Sequence, residues 1–169
     1  LLNSLKKNIV KIPDSSEGNF VIKYFPNWSI PYLHLSRADR PTGTWLLLLP
    51  CLFGILLAHN EKNNFSISFY EIWLLIACSI GAFLMRGAGC TWNDILDKDY
   101  DAKVKRTQNR PIPSGQVTIR RAVYWMIVQS LLAFTILLTF NKFSILIACL
   151  SLLLVAINPL AKRFTWWPQ

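Results

Sequence analysis

The chain has 169 residues, of which 53% are apolar and only 16% are charged, and its 18 Lys and Arg outnumber its 9 Asp and Glu. Soluble domains are about one quarter charged, so this composition favours a membrane protein and excludes disorder over most of the length. We expect the four cysteines, which lie in or beside apolar runs, to be reduced core residues rather than disulfide-bonded.

Residues 1–30 are polar, with Lys, Asn and Ser and scattered apolar positions. They lack the apolar core of a signal peptide and the Arg-rich amphipathic pattern of a transit peptide. We interpret them as a polar N-terminal arm, either a linker or a juxtamembrane segment. Because the sequence begins with Leu1 and ends at Gln169 without a polar tail, we also expect it to be a fragment or a processed product.

Four apolar segments follow the arm, and each approaches the roughly 20 apolar residues that a membrane-spanning helix needs. Pro50 is expected to kink the first segment, which a helix inside a bilayer can tolerate. A soluble helical bundle is the alternative, but the third and fourth segments carry long uncharged stretches where a soluble helix would show a polar face. The sequence therefore predicts an all-α transmembrane fold with about four spanning helices, at residues 42–58, 69–97, 122–140 and 143–160.

The distribution of basic residues predicts the orientation of these helices. If the connections alternate between the two membrane faces, 16 of the 18 Lys and Arg fall on one side and only Lys62 and Lys142 on the other. By the positive-inside rule, the basic side faces the cytoplasm, or the matrix in a mitochondrion. The net charge then reflects topology and a functional site, so no nucleic-acid partner is expected.

The connection between the second and third segments, Arg86 to Gly115, carries an acidic pattern. Asn93, Asp97 and Asp101 recur every four residues, so on a continuous helix they would fall within roughly 80° of one another, with Asp94 at the flank. Carboxylates one turn apart repel each other and, near a helix C-terminus, oppose the helix dipole. Hard oxygen ligands in this arrangement suit Mg²⁺.

A basic loop follows the acidic pattern, and Pro111, Pro113 and Gly115 give it turns. Acidic stripe and basic loop together match a diphosphate, because a metal bridges carboxylate and phosphate while cations contact the remaining oxygens. An ordinary solvated juxtamembrane helix of mixed charge is the alternative, and the spacing alone does not decide between the two. The cations of the loop are Lys103, Lys105, Arg106 and Arg110.

The segment Asn93-Asp-Ile-Leu-Asp-Lys-Asp-Tyr-Asp101 resembles the N-D-x-x-D-x-x-x-D motif of the UbiA superfamily of membrane prenyltransferases. As in that family, Arg106-Thr-Gln-Asn-Arg-Pro111 and Pro113-Ser-Gly115 follow it. Two further stretches resemble the branch that prenylates 4-hydroxybenzoate in ubiquinone synthesis, especially its mitochondrial and alphaproteobacterial members. They are Arg37-Ala-Asp-Arg-Pro-Thr-Gly-Thr-Trp-Leu-Leu-Leu-Leu-Pro-Cys51 and Met85-Arg-Gly-Ala-Gly-Cys-Thr91.

The resemblance implies transfer of a polyprenyl group from polyprenyl diphosphate to the ring carbon of 4-hydroxybenzoate, with Mg²⁺ as cofactor. It implies that residues 31–169 are a partial domain, the N-terminal half of a roughly nine-helix bundle. The implied partners are the two substrates, the lipid bilayer and other proteins of ubiquinone synthesis. The implied location is the mitochondrial inner membrane with a matrix-facing site, or alternatively a bacterial inner membrane.

The resemblance also assigns roles to the acidic residues. Asn93, Asp94, Asp97 and Asp101 would hold Mg²⁺ on the diphosphate. Asp97 and Asp101 would be the catalytic residues, because the leaving diphosphate needs compensation of its developing charge.

The basic residues receive binding roles on the same resemblance. Lys105, Arg106 and Arg110, together with the metal-binding Asn93, would contact the prenyl diphosphate. Arg37 is the candidate for binding the carboxylate of the acceptor, with Arg40 second. Interfacial charge that reaches toward water is the alternative for both of these arginines.

The sequence departs from the family in two respects. It has about four helices and no second Asp-rich motif, and Asn158 and Ala161 stand where relatives usually carry Tyr and Met. Two alternatives therefore stay open: a non-catalytic four-helix membrane protein, and a UbiA relative with another acceptor such as haem. Because a second motif would complete the site, we expect this chain alone to be catalytically inactive.

Overall fold

The computed structural model describes residues 20–61 and 66–161, which form helices without any strand in those ranges. The all-α prediction is therefore confirmed for the described part of the chain. Of the polar arm predicted for residues 1–30, the first 19 residues lie outside the described part. In chain order the helices are α1 (Phe20–Tyr24), α2 (Ile30–Leu35), α3 (Thr42–Glu61), α4 (Phe69–Leu96), α5 (Lys98–Asp101), α6 (Ile119–Leu137) and α7 (Lys142–Ala161).

Four helices, α3, α4, α6 and α7, are long and apolar enough to cross a membrane, which confirms the predicted number. Their bounds lie within three residues of the predicted ones. Helix α6 begins at Ile119 rather than at residue 122 because the Thr118 hydroxyl accepts a hydrogen bond from the Arg121 N–H and caps the helix. Outer side chains such as Leu154, which is 72% exposed, form the apolar surface that a lipid bilayer covers.

Helix α4 begins with a reciprocal cap at the end that lies far from the acidic segment. The Ser68 hydroxyl accepts a hydrogen bond from the Tyr70 N–H, and the Glu71 carboxylate accepts one from the Ser68 N–H at 2.8 Å. Glu71 also lies 3.1 Å from the His59 ring nitrogen near the end of α3. The buried Glu71 carboxylate therefore both starts α4 and fixes it to α3.

Helix α4 is the centre of the bundle. It packs most extensively against α6 and then α3, and it also contacts α2, α5 and α7. The indole N–H of Trp92 donates to the Ala156 carbonyl at 3.2 Å and joins α4 to α7. Side chains on the last turns of α4 are consequently within reach of every other spanning helix.

A small apolar core forms at the basic end of the bundle. Leu35 of α2, Ile112 and Val117 of the connection 102–118, and Ala122 of α6 are buried together. Burial of these side chains stabilises the fold of the connection against α2 and the first turn of α6. The charged segments before α3 and after α5 are thereby held at the C-terminal end of α4.

Candidate active site

Helix α4 ends inside the acidic segment, at Leu96. Asp97 follows as its C-cap with φ −89° and ψ 7°, outside regular helical values, and the short α5 begins at Lys98. The helix is therefore interrupted at one residue, but the Asp97 N–H still donates to the Asn93 carbonyl at 2.9 Å and the Asp101 N–H to the Asp97 carbonyl at 2.8 Å. Asn93, Asp97 and Asp101 thus follow one another at one-turn intervals, and that they act together stays a prediction.

Two arginines and two aspartates form an ion-pair network at this helix end. Asp94, which is 1% exposed, accepts hydrogen bonds on Oδ1 from Arg37 Nη2 at 2.8 Å and from Arg110 Nη1 at 3.3 Å. Arg110 Nη1 also donates to Asp101 Oδ2 at 2.7 Å. The network therefore joins the segment before α3, the last turn of α4, α5 and the connection 102–118.

The network changes which of the predicted metal ligands lie together. Asp94 and Asp101 both contact Arg110, whereas Asp97 is half-buried at the junction of α4 and α5. In the described ranges, no three Asp, Glu, His or Cys side chains are placed to hold a metal ion by themselves. The assignment of Asn93, Asp94, Asp97 and Asp101 as Mg²⁺ ligands stays a prediction.

Arg37 is held in an unusual backbone conformation with φ +54°. A left-handed conformation at a residue other than Gly costs about 1–3 kcal/mol and persists only where the surroundings impose it. Here the preceding Ser36 is fixed, because its hydroxyl accepts hydrogen bonds at 2.9 Å from both the Trp125 indole and the Gln129 amide. Helix α6 thus positions Arg37 toward Asp94.

The electrostatic environment keeps the side chains of Arg37 and Asp39 charged. Burial disfavours the charge on Arg37, but the negative charge of Asp94 and other neighbours more than offsets burial and raises the pKa of the guanidinium above its usual value. Burial likewise disfavours the Asp39 carboxylate, but the neighbouring His34 and Arg40 more than compensate and lower its pKa. Arg37 is therefore a cation and Asp39 an anion at neutral pH.

A cavity of about 520 Å³ opens beside this network. Arg37, Arg40 and Arg86 line it together with a single carboxylate, Asp94, and Asn158 of α7 is part of the wall. Its charged lining therefore carries an excess of positive charge. A cavity of this composition is suited to an anion such as a diphosphate or a carboxylate.

Arg86 is a cavity residue that the sequence reasoning left out of the site. Its Nε atom is buried without a hydrogen-bond partner among the described residues. A Cβ at Gly43 would overlap the Arg86 guanidinium, so the glycine leaves the space through which α3 and this side chain approach each other. The signal was present in the sequence, since Arg86 precedes Asn93 by two helical turns on the same face of α4.

The predicted phosphate-binding residues of the basic loop fall into two groups. Arg110 lies in the ion-pair network and contacts Asp94, which lines the cavity, although Arg110 itself is not a lining residue. Lys105 and Arg106 are exposed on the connection, and the cavity walls described above do not include them. The structure thus brings together Arg37, Arg40, Asn93, Asp94 and Arg110, and leaves Lys105 and Arg106 on the surface.

Gly87 provides a test of the packing that positions Arg37. A Cβ at Gly87 would overlap the Gln129 amide and lie 3.0 Å from Ser36 Cβ and Oγ. Gly87→Ala is therefore expected to destabilise the chain by about 1–3 kcal/mol, as overpacking of a filled interior does. The measurement is chemical denaturation of the chain in nanodiscs.

The matched control for this substitution is Gly81→Ala. It lies in the same helix, and its Cβ would meet no atom of the described residues within 4 Å. Equal stability of the two variants would show that α4 and α6 do not pack closely at Ser36.

The family described as the UbiA prenyltransferase family matches residues 47–169. The chain is 45% identical over 149 residues to "4-hydroxybenzoate polyprenyltransferase, mitochondrial" of Rattus norvegicus, a match that covers 88% of this chain and 38% of the relative. No solved structure gives a significant match.

Relatives with the same name in other organisms show similar sequence identity and coverage. The Homo sapiens protein is 47% identical over 139 residues, covering 82% of this chain and 36% of the relative. The Caenorhabditis elegans protein is 42% identical over 166 residues, covering 98% of this chain and 44% of the relative. The chain thus spans 36–44% of the length of these three relatives.

Proposed function

This chain belongs to the UbiA prenyltransferase family, and we propose that it supplies the anion-binding part of a 4-hydroxybenzoate polyprenyltransferase. The reaction is transfer of a polyprenyl group from its diphosphate to a ring carbon of 4-hydroxybenzoate, in ubiquinone biosynthesis. One observation carries the proposal: a cavity lined by three arginines lies at the end of membrane-spanning helices, beside the buried Arg37–Asp94–Arg110 network. Both substrates carry the anionic groups that such a cavity binds.

The two sides of the cavity suggest how the substrates divide. Arg37 and Arg40 lie on the segment between α2 and α3, and we assign them to the carboxylate of 4-hydroxybenzoate. Arg86 comes from α4, and Arg110 from the connection that follows α5; we assign both to the diphosphate. The carboxylate of one substrate and the diphosphate of the other are thereby bound by different elements of the fold, so that the ring and the allylic carbon can be brought together.

The residues at the cavity fit the Mg²⁺ ion that the family implies. Asp94 Oδ2 is buried and has no hydrogen-bond partner among the described residues, and Asn93 lines the same cavity. Mg²⁺ characteristically takes one or two carboxylates and completes its coordination with phosphate oxygens and water. We propose that Asp94 and Asn93 hold the ion, with Asp97 and Asp101 as further candidates. When bound, it would neutralise charge on the departing diphosphate.

The chain's own groups have three tasks in the reaction. The arginines stabilise the negative charge that grows on the diphosphate as the allylic C–O bond breaks. Asp94 and Asp101 hold Arg37 and Arg110 in place before substrate binds. No free energy is therefore needed to orient the two arginines during the reaction. The ring carbon ortho to the phenol hydroxyl then attacks the allylic cation, and the proton on that carbon passes to water, which restores aromaticity.

A chimera tests this function directly. In it, the present chain replaces the segment that it matches in the rat relative, and the host lacks its own 4-hydroxybenzoate polyprenyltransferase. Membranes receive radiolabelled 4-hydroxybenzoate, a prenyl diphosphate and Mg²⁺. We expect prenylated product, and we expect phenol, which lacks the carboxylate, to be a poor acceptor. Membranes with abundant folded chimera but no product would contradict the proposal.

The acidic motif yields a prediction within the same chimera. Asp97→Ala and Asp101→Ala are expected to abolish prenyl transfer, and Asp99→Ala to reduce it only mildly. Asp101 holds Arg110 at 2.7 Å and Asp97 is half-buried beside the network, whereas Asp99 is exposed. The measurement is the initial rate of product formation for each of the three variants. Equal losses at Asp97 and Asp99 would exclude a special role for Asp97.

We propose that the chain lies in the mitochondrial inner membrane with its cavity facing the matrix. The excess of Lys and Arg on the cavity side supports this orientation. The four native cysteines are free, but the prediction that they are core residues is wrong, since Cys51 and Cys149 are exposed and the other two are half-buried. All four can be replaced to give a background for labelling. Gln108 and Asn60, which are exposed at opposite ends of the bundle, then each receive a single cysteine.

The orientation predicts opposite behaviour at these two positions. In mitoplasts that hold the chain, an impermeant maleimide is expected to label Asn60→Cys at once and Gln108→Cys only after the membrane is permeabilised. Immediate labelling of Gln108→Cys with protection of Asn60→Cys would reverse the topology.

A further inference from the structure

A second cavity, of about 640 Å³, lies between the segment leading into α2 and the start of α6. It shares no lining residue with the cavity of the candidate active site. Its walls are mainly aromatic, with Trp28 and Tyr32 on one side and Tyr124 and Trp125 on the other, and Arg120 and Arg121 belong to its lining. We refer to it as the aromatic groove.

The aromatic groove lies at the level of the membrane interface. Arg120 and Arg121 directly follow Ile119, the first residue of the spanning helix α6. Trp125 comes six residues after Ile119, which is about 9 Å along a helix axis. The groove therefore extends from the headgroup region into the edge of the hydrocarbon, where amphipathic aromatic side chains accumulate.

The groove is open, and its two arginines have no ion-pair partner among the described residues. Trp28 is 75% exposed and Tyr124 is 72% exposed, so large parts of its walls are uncovered. Neither Arg120 nor Arg121 forms an ion pair with any residue in the ranges 20–61 and 66–161, and the first turn of α6 has no acidic residue. Both guanidinium groups are exposed and available to an anion at the membrane surface.

We propose that the aromatic groove binds one anionic phospholipid, with its phosphate on Arg120 and Arg121 and an acyl chain along the aromatic walls. The apolar walls fit a hydrocarbon chain. A soluble anion would leave these walls exposed to solvent or lipid. The paired arginines fit a negative headgroup, because basic clusters beside spanning helices on the inner face attract anionic lipids. A zwitterionic lipid gains less from this pair of cations.

Occupancy of the groove would also support the candidate active site. The Trp125 ring packs against Tyr32, with their centroids 5.5 Å apart, and its indole N–H donates to Ser36. Ser36 directly precedes Arg37. A lipid that fills the groove therefore braces the contact between α2 and α6 that positions Arg37, although the lipid site itself does not depend on the proposed prenyl transfer.

Native mass spectrometry of the purified chain tests this proposal. The chain is equilibrated with equal amounts of phosphatidylglycerol and phosphatidylcholine of the same acyl composition. We expect one phosphatidylglycerol to be retained, with a preference of about tenfold, equivalent to roughly 1.4 kcal/mol. The double variant Arg120→Gln/Arg121→Gln is expected to lose this preference. The control Lys98→Gln/Lys103→Gln, which removes one cation from α5 and one from the connection 102–118, is expected to keep it.

A variant of the groove wall separates binding in the groove from attraction to the surface. Trp28→Ser removes aromatic surface without changing charge, and we expect it to weaken phosphatidylglycerol retention. Unchanged retention in Trp28→Ser, or in the double arginine variant, would overturn the proposal. Equal retention of the two lipids, or a dimer of the chain without bound lipid, would overturn it as well.

Discussion

Replacing Asp94 by Asn is expected to abolish prenyl transfer in the chimera, with a loss of about a thousandfold in kcat, the upper range for removing one preorganised charge-stabilising group. The variant keeps the size of the side chain but removes the charge that Arg37 and Arg110 share on Oδ1. It also removes the carboxylate oxygen Oδ2, which is buried without a hydrogen-bond partner among the described residues and is our candidate ligand for the cation. Asp94 is therefore expected both to hold the two arginines and to bind the ion.

Stability must be measured beside activity for this variant. Removing one partner of a buried ion pair costs about 3–5 kcal/mol, because the remaining charges are left uncompensated. Asp94→Glu restores the charge and is expected to recover part of the folding stability and of the activity. Asp99→Asn is the matched control, since Asp99 is exposed in α5. A folded Asp94→Asn chimera with full activity would remove Asp94 from the site.

Replacing Arg86 by Gln is expected to raise the KM for prenyl diphosphate about ten- to a hundredfold, because a hydrogen bond to a charged group contributes about 1.5–3 kcal/mol. The Nε donor of Arg86 is buried and has no partner among the described residues, and its side chain lines the cavity. Binding of the diphosphate would satisfy this donor. Arg86→Lys is expected to be intermediate, since it keeps the charge but loses the guanidinium geometry.

A pair of glycine variants tests the same side chain indirectly. Gly43→Ala would place a methyl group where the Arg86 guanidinium lies, so we expect it to displace Arg86 and raise the same KM. Gly54→Ala is the control in the same helix, because its Cβ would meet no atom within 4 Å. An unchanged KM for prenyl diphosphate in Arg86→Gln would show that Arg86 faces the cavity without binding this substrate.

Loss of Asp94 and loss of Arg86 are expected to have different effects on the folded chain. Asp94 acts on groups that are already paired, so its loss disturbs both the network and the chemistry. Arg86 has a donor that only a ligand would satisfy, so its loss is expected to change binding and leave the folded chain intact. Parallel measurement of stability and of kinetic constants distinguishes the two roles.

The sequence by itself determined the spanning helices and the motif, and it predicts the orientation of the helices. The reason is that the apolar length of a segment, the side on which its flanking Lys and Arg fall and the order of a motif are all local properties. The helices α3, α4, α6 and α7 accordingly lie within three residues of their predicted bounds. The resemblance carried by the motif agrees with the family that matches residues 47–169.

Only the tertiary structure decided which charged side chains form ion pairs. Helical spacing predicted that Asn93, Asp97 and Asp101 act together, which stays a prediction, and it gave Asp94 a place at the flank of this pattern without a partner. Asp94 instead contacts Arg37, 57 residues earlier, and Arg110, 16 residues later. A buried carboxylate takes its partners from whatever elements pack against it, because burial without compensation is too costly. That packing depends on contacts between distant segments, which spacing along one helix does not contain.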